Sequence, residues 1–246
     1  MNREIAKLER TLLEGEKIEK GGEIDLAQGA LLASGVETMK ELNCYLERID
    51  RLCQRIAEAL LDLPPKGSDG EKARVIFNWL WREKTHRYEY GGNFRLTHVL
   101  GAQHGGKEKV GNCLGLTVLY NVLAQRFGLE VKAAYLEDAF RLGPHLFTVL
   151  YAREITIDIE NIFPDGFDYR GHPGTKQREE WGDRELIADI YHSVGNDLFA
   201  SGKLERSIES YDRALMLHPG CSRAHLNKGI ALVELGMVEE ATEWFG

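Results

Sequence analysis

Three side chains in this 246-residue sequence have the types that nucleophilic catalysis requires: a thiol, an imidazole and a carboxylate. The thiol is Cys113, in Gly111-Asn112-Cys113-Leu114-Gly115-Leu116, and an apolar run from Val118 to Phe127 follows, which Gly128 is placed to end. This pattern predicts a buried helix with the cysteine at its N-terminus. There, unpaired N–H groups and the positive dipole end favour an anion and therefore the reactive thiolate. The competing reading is a small apolar residue packed at a helix start, because free cysteine is among the most buried residue types. The backbone N–H of Cys113 is a candidate oxyanion donor. Gln103 and Asn112 carry the nearest side-chain amides, but both read first as loop or capping residues.

The imidazole and carboxylate come from a β-rich stretch. His145-Leu146-Phe147-Thr148-Val149-Leu150 is followed by Tyr151-Ala152-Arg153 and then Glu154-Ile155-Thr156-Ile157-Asp158-Ile159, which predicts a hairpin. A two-residue loop at 151 and 152 places position 150 opposite 153 and His145 opposite Asp158, with Cβ atoms about 5 Å apart. Tyr-Ala is poor chemistry for such a loop, and a four-residue loop over 150–153 keeps the same pairing. An odd loop length puts the two side chains on opposite faces. In the paired arrangement His145 takes the proton from Cys113 and returns one to the leaving group. Asp158 then sets the imidazole tautomer and stabilises its charged form.

The order Cys, His on a strand, Asp on the next strand, spaced 32 and 13 positions apart, resembles the transglutaminase-like fold of papain-type cysteine enzymes. The segments Gly111–Tyr120, Arg126-Phe127-Gly128-Leu129 and Gly143-Pro144-His145-Leu146-Phe147 are similar to the transglutaminase-like domain of the bacterial SirB type. So is the helical lead-in Asp25-Leu26-Ala27-Gln28-Gly29-Ala30-Leu31-Leu32, and the likeness spans roughly residues 22–170. The resemblance implies an α+β fold, with a buried nucleophile helix packed on an antiparallel sheet. It also implies Cys113, His145 and Asp158 as the catalytic set, acting on a peptide or protein substrate.

Other elements must hold these groups in place. Ile5, Leu8, Leu12 and Leu13 lie at helical spacing in the charged residues 1–20, and Gly21-Gly22 is placed to stop that helix. Helical periodicity returns over 24–33 and 36–62, until Pro64-Pro65-Lys66-Gly67-Ser68-Asp69-Gly70 breaks it as a loop. A helix from about Glu71 to Lys84 points Val75 and Trp79 inward, with Ile76 and Leu80 as further candidates. Tyr88, Tyr90 and Phe94 follow as residues of a cleft rim or of the core. Glu130–Leu136 reads as a strand, and the Gly-, Asp- and Pro-rich residues 160–182 as an irregular crossing that Phe163, Phe167 and Tyr169 tie down.

From about Leu186 an internal repeat begins. Gly195 and Gly229, Leu198 and Leu232, and Tyr211 and Phe245 are each offset by 34 residues. That is the length of a tetratricopeptide repeat, and the unit ending Asp212–Pro219 resembles the consensus, departing at Ser207. One full and one nearly full unit fall short of the roughly three that an independent solenoid needs. These helices are expected to lean on the preceding domain, to continue in a longer chain or to pair with another copy. The resemblance implies a groove for a peptide or partner helix. The expected division is a charged helix over 1–21, a transglutaminase-like domain over 22–182 and repeats over 186–246.

Composition narrows the remainder. A chain that is 43% hydrophobic and 28% charged can bury one large core or two modest ones. Its net charge of −8 argues against nucleic acid and anionic membrane as partners. The N-terminus is too charged for a signal peptide, and no apolar run approaches the roughly 18 residues of a membrane span, so a cytoplasmic location is expected. The four cysteines lack CxxC spacing and suit a reducing compartment, with Cys44 and Cys53 expected as small core residues of a helix. His104 and His172 read as surface-loop residues, and neither a metal nor a cofactor is expected. Two classes of function remain. One is a thiol enzyme that forms a thioester with an amide or ester carbonyl, giving hydrolysis, deamidation or acyl transfer; the other is a non-catalytic scaffold that binds through its repeats.

Overall fold

A computed structural model describes residues 2–15, 25–64, 67–105, 108–139, 141, 143–153, 155–172 and 178–244. Among them are ten α-helices and four strands. The helices are α1 (Arg3–Glu14), α2 (Leu26–Ala33), α3 (Met39–Leu60), α4 (Asp69–Glu83), α5 (Leu96–His104) and α6 (Cys113–Arg126), then α7 (Asp183–Ala200), α8 (Leu204–Leu217), α9 (Ser222–Glu234) and α10 (Val238–Ala241). The strands are β1 (Val131–Leu136), β2 (His145–Ala152), β3 (Ile155–Ile159) and β4 (Glu179–Trp181). The fold is therefore α+β. The expected helix stop at Gly21-Gly22 and the repeat position Phe245 lie outside the described residues.

Residues 40–182 form one compact unit, and residues 1–39 with 183–246 form another. In the first unit the sheet order is β3-β2-β1-β4, antiparallel throughout. Helix α6 packs on β1 and β2 and is buried from Leu114 to Ala124, as its apolar run requires. Side chains alternate across a strand, so Thr148 faces α6 while Phe147 and Val149 face away with Ala134 and Leu136. Strand β4, within the stretch read as an irregular crossing, docks on β1 through Tyr135 and Trp181, whose rings stack 4.4 Å apart. Phe167 anchors the rest of that crossing, 5.9 Å from the ring of Phe77 on α4. On α4 the inward residues include Ala73, Ile76, Phe77, Trp79 and Leu80, whereas Val75 is only half-buried.

The hairpin register departs from expectation. Ala152 pairs with Ile155, and Val149 rather than His145 pairs with Asp158. Tyr151 and Ala152 stay in the strand, and the chain turns after Ala152, where Arg153 takes the positive φ of 53° that tight hairpins demand. The displacement is even, so His145 and Asp158 keep one face, but Asp158 moves four residues, about 13 Å, along β2.

The second unit assigns the lead-in differently from the expected boundaries. Helix α2 packs on α7 and α1 on α8, so residues 26–33 belong with the C-terminal helices rather than with the sheet. Asp25 caps α2 with Gln28 in a reciprocal box. Gly29 on α2 is required by close approach, because a Cβ there would lie 2.4 Å from the Ile187 side chain of α7. Helices α7 to α9 pack in sequence, and Gly195 lets the Tyr211 ring of α8 rest on α7.

Candidate active site

Cys113 is the first residue of α6. The Asn112 side chain accepts the Gly115 N–H at 3.1 Å, so this amide is a helix cap. The helix start is seated tightly: a Cβ on Gly115 would lie 2.8 Å from the Val99 side chain and 3.0 Å from the Asn93 carbonyl oxygen. Gln103, the other amide considered, is buried in α5.

A buried polar network ties α6 to the strand that carries the histidine. Thr117 Oγ1 donates to the Leu146 carbonyl at 3.3 Å, and Thr148 Oγ1 donates to Asn121 Oδ1 at 2.7 Å. Asn161 Nδ2, just beyond β3, donates to Thr148 Oγ1 at 3.0 Å. Together these bonds set the relative position of α6, β2 and the segment after β3, and so of the thiol, the imidazole and any carboxylate beside Asn161. Buried hydrogen bonds of this kind fix geometry because each is costly to leave unmade.

His145, the first residue of β2, is buried beside the Cys113 thiol, with which it interacts electrostatically. Its Nε2 lies 2.7 Å from Glu160 Oε2. The carboxylate at the histidine is therefore Glu160 and not Asp158. Asp158 Oδ2 instead accepts from Arg178 at 2.6 Å, a consequence of the shifted register. Glu160 Oε1 accepts the Ile162 N–H at 3.2 Å, and Oε2 also meets His172 Nε2 at 2.7 Å. The His172 ring stacks on Phe147 at 3.9 Å with 15° between planes, so the expected surface-loop histidine has a buried side chain within the site.

The electrostatics follow from this packing. Burial alone would lower the His145 pKa, but hydrogen bonds to Cys113 and Glu160, and the charge of both, raise it to about 9. Burial would raise the Glu160 pKa, yet the hydrogen bonds and positive charge of His145 and His172 hold it below the usual carboxylate range. The Tyr88 phenol is pushed up, first by burial and then by Cys113, Glu160 and Tyr90, which keeps it protonated and able to donate. His145, Glu160 and His172 also have the donor types of a divalent-metal site, with one ligand atom from each lying within 4.8 Å of the others. Both nitrogens lie 2.7 Å from one carboxylate oxygen, and these contacts are hydrogen bonds.

Cys113 and His145 open onto a cavity of about 510 Å³ whose walls include Tyr88, Tyr90, Ile162 and Phe163. Phe94 is instead a core residue. Of the remaining cysteines, Cys44 is exposed on α3, contrary to the core role expected of it, and Cys53 is half-buried. Burial pushes the Cys53 thiol up to about 11 and raises that of Cys221. His104 ends α5, with Nδ1 2.8 Å from the Leu100 carbonyl.

The described residues thus define an α+β protein with a thiol, an imidazole and a carboxylate in contact at the mouth of a buried helix. No family model matches the chain. No solved structure matches it either. A stretch of 58 residues is 36% identical to an uncharacterized protein of Methanocaldococcus jannaschii, covering 24% of this chain and 67% of that protein. Over that stretch the chain belongs to one family with that protein, whose name assigns no activity. No described helix is long and apolar enough to cross a membrane.

Proposed function

We propose that this protein is a cysteine-dependent acyl enzyme of transglutaminase-like type, with Cys113 as nucleophile, His145 as general base and acid, and Glu160 in the place expected for Asp158. The contact chain from the Cys113 thiol through His145 to Glu160, at the edge of a cavity, carries this reading. Glu160 engages Nε2, which leaves Nδ1 as the nitrogen to serve the thiol. The sulfur attacks an amide or ester carbonyl carbon as its proton passes to His145, and a tetrahedral oxyanion forms. The Cys113 N–H lies in the first turn of α6, where the helix supplies no acceptor, and is placed to donate to that oxyanion. The imidazolium then protonates the leaving amine or alcohol, leaving a thioester that water or a second amine resolves.

The test is alkylation of the intact protein by iodoacetamide at neutral pH, mapped by mass spectrometry. Cys113 should react about tenfold or more faster than exposed Cys44, and His145→Ala should remove that advantage. Equal rates at the two cysteines, unchanged by the substitution, would overturn the reading.

A second reading, a tetratricopeptide-like scaffold that binds a partner, draws on one observation. Leu226, Ile230 and Val233 are 51%, 39% and 44% exposed along α9 at helical spacing. If biological function survives Cys113→Ala but not Leu226→Ser with Ile230→Ser, this reading replaces the first.

A further inference from the structure

The lining of the cavity beside Cys113 departs from the composition of the chain. Of all residues 28% are Asp, Glu, Lys or Arg, yet none of these types is among the described residues of the wall. Apart from the Cys113–His145 pair, its ionisable side chains are Tyr88 and Tyr90, and Tyr88 is held neutral. Ile162, Phe163, Pro144 and Ala139 supply apolar surface. The one polar amide in the wall, Asn112, already serves as the cap of α6. A volume of about 510 Å³ suits a small organic group, within the roughly 300–1,000 Å³ common for such sites. Behind His145 lies buried Glu160, whose charge is matched by the imidazole it contacts, so the pair adds no net charge to the back of the cavity.

From this lining we infer that the acyl donor presents an uncharged, predominantly apolar or aromatic acyl group to the cavity, and that the site discriminates against charged donors. The inference rests on the proposed nucleophilic role of Cys113 and specifies its substrate class. A charged group in this cavity loses water, and the charge of His145, the nearest on the described wall, is already engaged by Cys113 and Glu160. An aromatic acyl group instead covers the faces of Tyr88 and Phe163.

The experiment is single-turnover acylation by p-nitrophenyl esters of matched length: phenylacetate and butyrate as neutral donors, hemisuccinate as the anion and 4-aminobutyrate as the cation. Sγ bonds to the carbonyl carbon, the carbon–oxygen bond breaks, p-nitrophenolate departs, and the thiol proton passes to His145. The p-nitrophenolate burst gives the rate, and intact mass with peptide mapping places the acyl group on Cys113. The neutral esters should acylate at least about tenfold faster than either charged ester. Tyr90, 69% exposed at the rim, allows a charge to be added without disturbing the core. Tyr90→Arg should raise the relative rate of the anionic ester about tenfold. A charged ester that acylates as fast as phenylacetate overturns the inference. So does a protein whose Cys113 is alkylated selectively by iodoacetamide but acylated by neither neutral ester, and in that case the nucleophile reading stands. A Cys113 inert to iodoacetamide and to every ester overturns both.

Discussion

Glu160 joins two imidazoles through one oxygen, and its charge is what both require. Glu160→Gln keeps the shape of the carboxylate but removes the anion, so the His145 pKa should fall and Cys113 alkylation should slow at least about tenfold. Breaking such a buried pair should also cost about 3 kcal/mol in a urea melt. The pH dependence has a definite sign. The His145 pKa is raised to about 9, so its stabilising contribution is full below the unfolded value near 6.5 and lost as pH rises through 9. The Glu160 pKa is lowered, so its contribution is present above the unfolded value and lost as pH falls through the folded one. Thermal melts should therefore show a decline in Tm between about pH 7 and 10 that is smaller in His145→Gln. Arg87 gives a prediction of opposite direction. The residue is 1% exposed, and its guanidinium has no hydrogen-bond partner among the described residues and is pushed by burial down to about 9. Arg87→Met, which keeps contact with the Trp81 ring, should raise stability by about 1–3 kcal/mol. Cys113 and His145 were legible in the sequence because each opens an apolar element. Glu160 had a weaker signal, a single carboxylate between Ile159 and Ile162 in an otherwise buried run, and His172 had none, since only a long-range return of the chain places it on Phe147.

The alignment of thiol and imidazole depends on how α6 is locked to β2. Replacing Asn161 with Leu removes the donor to Thr148 and should cost about 1–3 kcal/mol. Reactivity of Cys113 should fall even where the fold persists, a result that alkylation rate beside a circular-dichroism melt would separate. Gly115→Ala tests the other support of α6. The added Cβ has under 3 Å to the Val99 side chain, so α6 must shift against α5, costing about 1–3 kcal/mol and displacing Cys113. The hairpin shows why strand register is harder to read than strand identity. Alternation specifies the face of each side chain, and every even slip preserves it. Turn chemistry decides among those slips, and here it places the turn at Arg153 rather than at Tyr151-Ala152.

The division into two compact units has consequences for truncation. Residues 40–182 contain the sheet, α6 and the whole Cys113–His145–Glu160 cluster. A fragment of those residues should keep cooperative melting and selective Cys113 alkylation. Ending the chain at 182 instead leaves α1 and α2 without α7 and α8, exposing Leu12, Leu26, Ala30 and Leu31, all buried in the full chain. That longer fragment should be less soluble than 40–182, as sedimentation would reveal. The expected boundaries at 21 and 22 missed this grouping, because periodicity identifies the apolar face of a helix but not the element that covers it.

What the sequence by itself determined were the local choices. Apolar periodicity specified most helices, β-rich runs specified the first three strands, and the glycine after Phe127 ended the nucleophile helix with a φ of 81° at Gly128. These rest on interactions within a few residues. The partner of His145, the burial of His172 and the pairing of α2 with α7 were decided only by tertiary structure. Each joins segments that share no local pattern. Which carboxylate reaches the imidazole depends on a four-residue difference in register, set by a turn and by buried hydrogen bonds that form only when helix, strand and return loop come together.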